Sequence, residues 1–177
     1  MRVIGLAGWS GAGKTTLLTK LIPELTRRGV SVSTLKHAHH AFDVDKPGKD
    51  SFLHREAGAR EVLVSSGRRW ALMHELREEA EPDLPEMLAK LSPVDLVIVE
   101  GYKRSAIPKI EVYRDANGKP PMHPGEPAIV AVASDAPFPD AGRPVIDLDD
   151  IPAIVDAAIA LAEPLSSFLA QFPEPSS

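Results

Sequence analysis

Gly8-Trp9-Ser10-Gly11-Ala12-Gly13-Lys14-Thr15 fits the phosphate-binding pattern G-x-x-x-x-G-K-[ST], and its reading decides the fold. Before it, Arg2-Val3-Ile4-Gly5-Leu6-Ala7 is an apolar, partly β-branched run of the kind that forms a buried parallel strand. After it, Leu17, Leu18, Leu21, Ile22 and Leu25 recur at helical spacing. Strand, glycine turn and helix are the context in which this pattern carries meaning. Glycines let backbone amides wrap a polyphosphate where side chains would block it. The first helical turn then presents unpaired N–H groups and a positive dipole end. The expected phosphate loop comprises Gly8, Ser10, Gly11, Ala12, Gly13, Lys14, Thr15 and Thr16. Lys14 is expected on the β- and γ-phosphates and the Thr15 hydroxyl on Mg²⁺.

The chain has 177 residues, which suits one α/β domain with its own core. A net charge of −5 and a pI near 5.7 argue against a general nucleic-acid binder, which carries a basic excess. There is no cysteine, hence no disulfide framework and no thiolate metal site. No apolar run approaches the ~18 residues a membrane span requires. With the first strand starting at Arg2, a soluble cytoplasmic protein is expected.

Strands are expected at Val30 to Leu35, Glu61 to Ser65, Arg69 to Met73, Val94 to Val99, Ala128 to Ala133 and Pro144 to Leu148. Helices are expected at Ser51 to Ala57, Pro82 to Leu91 and Ile151 to Ala162, the last capped by Asp149 or Asp150. Lys109 to Arg114 alternates Ile110 and Val112 with Glu111 and Tyr113, and reads as an edge hairpin before a Pro-rich loop. Strands alternating with helices imply a mainly parallel sheet flanked by helices on both faces, the three-layer P-loop NTPase fold. Residues 1–163 form the expected nucleotide-binding domain, and 164–177 a Pro-rich tail.

Ligands of such sheets collect at the carboxyl ends of the strands. The run Asp95 to Glu100 has an acid at each end, roughly 16 Å apart at 3.3 Å per residue. Glu100, at the carboxyl end, is the expected Mg²⁺ or water-orienting acid. The alternative is a solvated strand-end carboxylate. Asp135 follows a late strand, where an acceptor-only carboxylate suits guanine N1 and N2 and repels adenine N1. It is read as a guanine contact or as a capping or turn residue. Lys36, His37, His39 and His40 form a cluster open to three readings: phosphate or substrate contact, a metal site, or a structural loop. Asp45, Lys49 and Asp50 follow on a loop placed like a switch or an acceptor-binding loop. Tyr102, Lys103 and Arg104 add a positive rim beside Glu100. His54, His74 and His123 show no partner and are expected at the surface.

Together these motifs resemble the molybdopterin-guanine dinucleotide biosynthesis protein B (MobB) family. The resemblance runs from Gly8 to Thr16, through Lys36-His37 with His39-His40 and Gly48-Lys49-Asp50-Ser51, to Val99-Glu100-Gly101-Tyr102-Lys103. It continues through Pro108-Lys109-Ile110-Glu111 and Ala131-Val132-Ala133-Ser134-Asp135, and spans about residues 2 to 162. It implies a GTP-binding protein with weak Mg²⁺-dependent GTPase activity. Such a protein acts mainly as an accessory in attaching a guanine nucleotide to molybdopterin. It also implies a homodimer and a guanylyltransferase partner (MobA), with molybdopterin or its guanine dinucleotide as the companion ligand. Three rivals use the same residues: a small-molecule kinase, a metal-insertion GTPase built on the histidines, and a nucleotide-holding subunit without turnover.

Overall fold

The computed structural model describes residues 1–38 and 42–172. His39 and His40 therefore lie outside the described residues. Contacts divide the chain into two compact units, Met1–His37 with Leu84–Ser177, and Ala38–Asp83.

The larger unit is built on a sheet of seven strands. β1 (Arg2–Ala7) leads through the loop into α1 (Lys14–Arg27), and β2 (Val32–Lys36) follows. After the smaller unit come α3 (Leu84–Ala89), β5 (Leu96–Glu100), β6 (Lys109–Tyr113), β7 (Ile129–Ser134) and β8 (Val145–Asp147). α4 (Ile151–Leu161), β9 (Glu163–Pro164) and α5 (Leu165–Leu169) complete it. The order is β2-β5-β1-β6-β7-β8, all parallel, with β9 antiparallel to β1. This is the expected P-loop NTPase architecture.

Alternation along the central strands separates two cores. Ile4, Leu6, Leu96 and Ile98 pack with Leu17, Leu21 and Leu25 of α1 and with Ile154, Val155 and Ala158 of α4. Val3, Val97 and Val99 face the other way, onto Leu84 and Leu88 of α3 and Phe168 of α5. Helices thus cover both faces, as a parallel sheet requires. The stretch from Pro164, read as a tail, begins by pairing with Arg2 and then places Phe168 fully inside the second core.

Helix ends follow local chemistry. Gly29 takes φ 78° after α1, and Val30 N–H returns to the Leu25 carbonyl, a Schellman closure. That closure uses Val30, which is why β2 starts at Val32 and not at Val30. The Asp150 carboxylate accepts from Ala153 N–H and caps α4, with Pro152 in the first turn.

One strand departs from expectation. β6 is not an edge hairpin; it lies inside the sheet, hydrogen-bonded to β1 on one side and β7 on the other. Lys109 and Glu111, whose charges suggested a wet face, are both buried. The Lys109 ammonium donates to the Ser105 carbonyl, and burial lowers its pKa. Glu111 accepts from Met122 N–H at 2.6 Å, His123 N–H at 2.9 Å and His123 Nδ1 at 2.8 Å. His123 is consequently a buried partner of Glu111 and not a surface residue.

The smaller unit contains α2 (Asp50–Glu56) and an antiparallel hairpin of β3 (Glu61–Ser65) and β4 (Trp70–His74). Ser66 N–H bonds to the Arg69 carbonyl to close the hairpin. Arg55 of α2 is clasped by Asp43, Asp45 and Glu75 at 3.0, 3.3 and 2.8 Å. Asp45, read as part of a switch loop, is thus an ion-pair partner within this unit, and also accepts from Ser51 Oγ. His74 is likewise partnered, by Glu61 at 2.7 Å and Glu79 at 3.1 Å.

Candidate functional site

The site is the carboxyl edge of the sheet around β1. Gly8, with φ 140°, ends β1; a Cβ there would stand 2.6 Å from the Val112 carbonyl of β6. Gly11 and Gly13 follow at φ 84° and 93°. Gly13 is the N-cap of α1 and provides no side-chain cap, and the first turn contains no acid. Its N–H groups and the positive dipole end therefore have no anion from the helix itself. Ala12 is buried under the loop, whereas Thr15 and Thr16 stand exposed on the first turn. The Lys14 ammonium folds back onto the Gly8 and Trp9 carbonyls at 2.9 and 3.1 Å. Burial lowers its pKa; Glu100 opposes that shift, and Lys103 and Lys36 add to it.

On the β5 side, Glu100 pairs in register with Leu6 of β1 and Lys36 of β2. Its carboxylate lies 3.9 Å from the Lys36 ammonium. His37 N–H bonds to the Glu100 carbonyl, and Gly101 (φ 103°) lets the two strand ends touch, since a Cβ there would meet His37 O at 2.7 Å. The His37 and Tyr102 rings stack tilted at 5.0 Å. Lys103 places its ammonium 5.7 Å over the Trp9 ring. The strand-end motifs at 36–37 and 100–103 are thus one surface. Asp95 lies at the opposite edge, where Ser31 N–H and Oγ bind its carboxylate and depress its pKa.

On the β6 side, the residues after the strand close over the loop. Asn117 Nδ2 donates to the Ser10 carbonyl at 3.2 Å, and Trp9 Nε1 donates to Pro120 O at 2.8 Å. The Arg114 guanidinium reaches Gly13, with Nη2 and Nε at 3.6 and 3.7 Å from where a Cβ would stand. Asp135, at the end of β7, accepts from Asp115 N–H at 2.8 Å and lies 3.6 Å from Arg114 Nη1. Arg114 and Asn117 were not singled out in the sequence, because reading β6 as an edge hairpin placed them away from the loop.

Thr15 and Glu100 offer a hydroxyl and a carboxylate, the hard oxygen donors Mg²⁺ accepts beside phosphate and water. Among the described residues, no three His, Cys, Asp or Glu side chains gather to hold a metal on their own. No helix there is long and apolar enough to cross a membrane.

A parallel sheet with a G-x-x-x-x-G-K-T loop between its first strand and first helix defines the P-loop NTPase class. Within it, the chain belongs to the family described as molybdopterin guanine dinucleotide synthesis protein B, whose model matches residues 3–135. The chain is 43% identical over 160 residues to the molybdopterin-guanine dinucleotide biosynthesis adapter protein of Escherichia coli (strain K12), covering 89% of this chain and 91% of that one. The protein of the same name from Haemophilus influenzae is 42% identical, over 87% of this chain and 85% of its own. A crystal structure of molybdopterin-guanine biosynthesis protein B superposes with a TM-score of 0.71 at 28% identity, covering 90% and 97% of the two chains.

Proposed function

We propose that the protein binds GTP with Mg²⁺ and acts as an adapter in molybdenum cofactor biosynthesis, assisting the attachment of a guanine nucleotide to molybdopterin. The observation that carries this is the uncapped start of α1, with Lys14 on the loop and Lys36, Lys103 and Glu100 around it. Such an arrangement is suited to a polyphosphate and a divalent cation. The relatives' names supply the pathway.

In this reading Lys14 leaves the Gly8 and Trp9 carbonyls for the phosphates, which restores its ammonium to a favourable field. The Thr15 hydroxyl and Glu100 would hold Mg²⁺, which would neutralise charge on the phosphate oxygens. Asp135 reads the base. Each carboxylate oxygen accepts two bonds, so the one Asp135 spends on Asp115 N–H leaves room for guanine. Hydrolysis is slow, in keeping with an adapter in the cytoplasm and not with a fast metabolic enzyme. Lys36, His37 and Lys103 face the companion ligand, molybdopterin or its guanine dinucleotide, with His39 and His40 as sequence neighbours. A guanylyltransferase of the MobA type is the partner.

The protein is also proposed to pair with a second copy through the β3–β4 hairpin. Leu63, Trp70 and Leu72 share one face of that hairpin and are 64, 68 and 50% exposed. An exposed apolar face on a two-stranded ribbon is a feature that self-association covers.

Calorimetric titration of the wild type and Asp135→Asn with the Mg²⁺ complexes of GTP, ATP and XTP tests the nucleotide assignment. The wild type should prefer GTP. The amide should favour XTP, since it can donate to the xanthine 2-carbonyl where the carboxylate only accepts. A wild type that binds none of the three overturns the reading, and one that binds ATP as well as GTP returns the kinase rival to first place.

A further inference from the structure

The geometry points to Arg114 as a phosphate ligand of the P-loop, acting in cis from the strand beside β1 and aimed by Asp135. This rests on the nucleotide reading above and extends it to a residue outside the loop motif.

Three features of the guanidinium carry the inference. Its orientation is divided: Nη1 turns to Asp135 at 3.6 Å, while the Nε–Nη2 edge faces Gly13. That edge presents two parallel N–H donors, the geometry by which arginine takes two oxygens of one phosphate. Its donors are also unspent. At 3.6 Å the contact with Asp135 is an ion pair longer than a hydrogen bond, and among the described residues no acceptor takes a bond from Arg114. Finally, its position is electrostatically wrong for a purely structural arginine. It stands over the start of α1, where the dipole is positive, no acid occupies the first turn and Lys14 adds a further charge. Among the described residues around this edge, the four cations Lys14, Lys36, Lys103 and Arg114 outnumber the carboxylates of Glu100, Asp115 and Asp135, which leaves a net positive charge for an incoming anion.

The local fold holds Arg114 there. Gly8 permits contact between β1 and the Val112 carbonyl two residues before Arg114. Asp135 anchors the next residue by accepting from Asp115 N–H. Asn117 Nδ2 fastens the following turn to the Ser10 carbonyl of the loop. These contacts tie strand, turn and loop together, so the Arg114 backbone is placed beside Gly13 and the ion pair with Asp135 orients its guanidinium. Asp135 is then a positioning residue for Arg114 as well as the proposed reader of the base.

The test is calorimetric titration of the wild type, Arg114→Gln and Arg114→Lys with GTP·Mg²⁺ and with inorganic tripolyphosphate·Mg²⁺. A charge-assisted hydrogen bond contributes enough that the glutamine variant should bind GTP about ten- to hundredfold more weakly. Tripolyphosphate should lose affinity by a similar factor, because the contact is to phosphate and not to the nucleoside. Lysine, which keeps the charge but not the fork, should recover part of the loss for both ligands. Preference for GTP over ATP should be unchanged in Arg114→Gln. Equal GTP affinity in the wild type and Arg114→Gln overturns the assignment while leaving the nucleotide reading intact. A loss confined to GTP, with tripolyphosphate unaffected, overturns it in favour of a nucleoside contact. A wild type that binds neither ligand overturns both.

Discussion

The two flanks of the phosphate loop are built by different means. On the β5 side, backbone does the work: β2 and β5 run in register to Lys36 and Glu100, and His37 N–H closes onto the Glu100 carbonyl. Lys36 and Glu100 stay loosely engaged there, 3.9 Å apart. On the β6 side, side chains do the work. Buried Glu111 gathers Met122 and His123, the His123 ring packs edge-on against Phe138, Asp135 holds Asp115 N–H, and Asn117 ties that turn to the loop. A flank made by strand pairing tolerates changes in its side chains and leaves them available to ligands. A flank made by buried polar contacts does not.

The largest expected effect separates them directly. Glu111→Ala removes a fully buried carboxylate and strands two backbone N–H groups and an imidazole, at a cost of about 3–5 kcal/mol. Glu100→Gln removes a long pair with exposed Lys36 and an unbonded attraction to Lys14, and should cost no more than about 1 kcal/mol. Urea denaturation of both variants measures the difference, and equal losses would remove the distinction.

Each flank also depends on one glycine. Gly8→Ala and Gly101→Ala each force an alanine into positive φ, at about 1–3 kcal/mol before any clash is counted. Their structural consequences should differ. Gly8→Ala pushes β6 away and should shift the Trp9 indole N–H resonance, which reports the bond to Pro120. Gly101→Ala displaces His37 and should leave that resonance in place. Movement of the Trp9 signal in both variants would mean that the flanks are coupled through the loop.

The smallest effect lies in the separate hairpin unit and provides a pH-dependent reference. Hydrogen bonds to Glu61, then Glu79, raise the pKa of His74. A raised folded value means that the imidazolium stabilises the fold. The contribution is complete below the ordinary histidine value of about 6.5 and fades as pH rises through the higher folded one. Thermal melts from below pH 6 to above 8 should show the slope in the wild type and lose it in His74→Gln. An identical slope in the variant would show that another group sets it.

The same contrast explains what could be read in the sequence. β1, β5 and β7 are near-continuous apolar runs, and burial on both faces leaves that signature. The loop motif, Glu100 at the carboxyl end and Asp95 at the other follow from strand direction alone. β6 was misread because Lys109 and Glu111 carry charges that usually mean solvent. Their partners, Ser105, Met122 and His123, are supplied by flanking loops that no periodicity reveals. Arg114 went unnoticed with the strand that carries it, and His123 was misjudged because its partner is Glu111. The lesson is local: an alternating strand beside a glycine-rich loop can still be central when each charge has a buried partner.

The place of β1 bears on how the protein is made. Its neighbours β5 and β6 lie far along the chain, with Arg2 aligned to Leu96 and Gly5 to Lys109. At a synthesis rate of about 5–20 residues per second, β1 and the glycine-rich loop wait roughly 5–20 s on the ribosome for a strand to pair with. The central strand of the sheet is thus among the first to be made and one of the last to be enclosed.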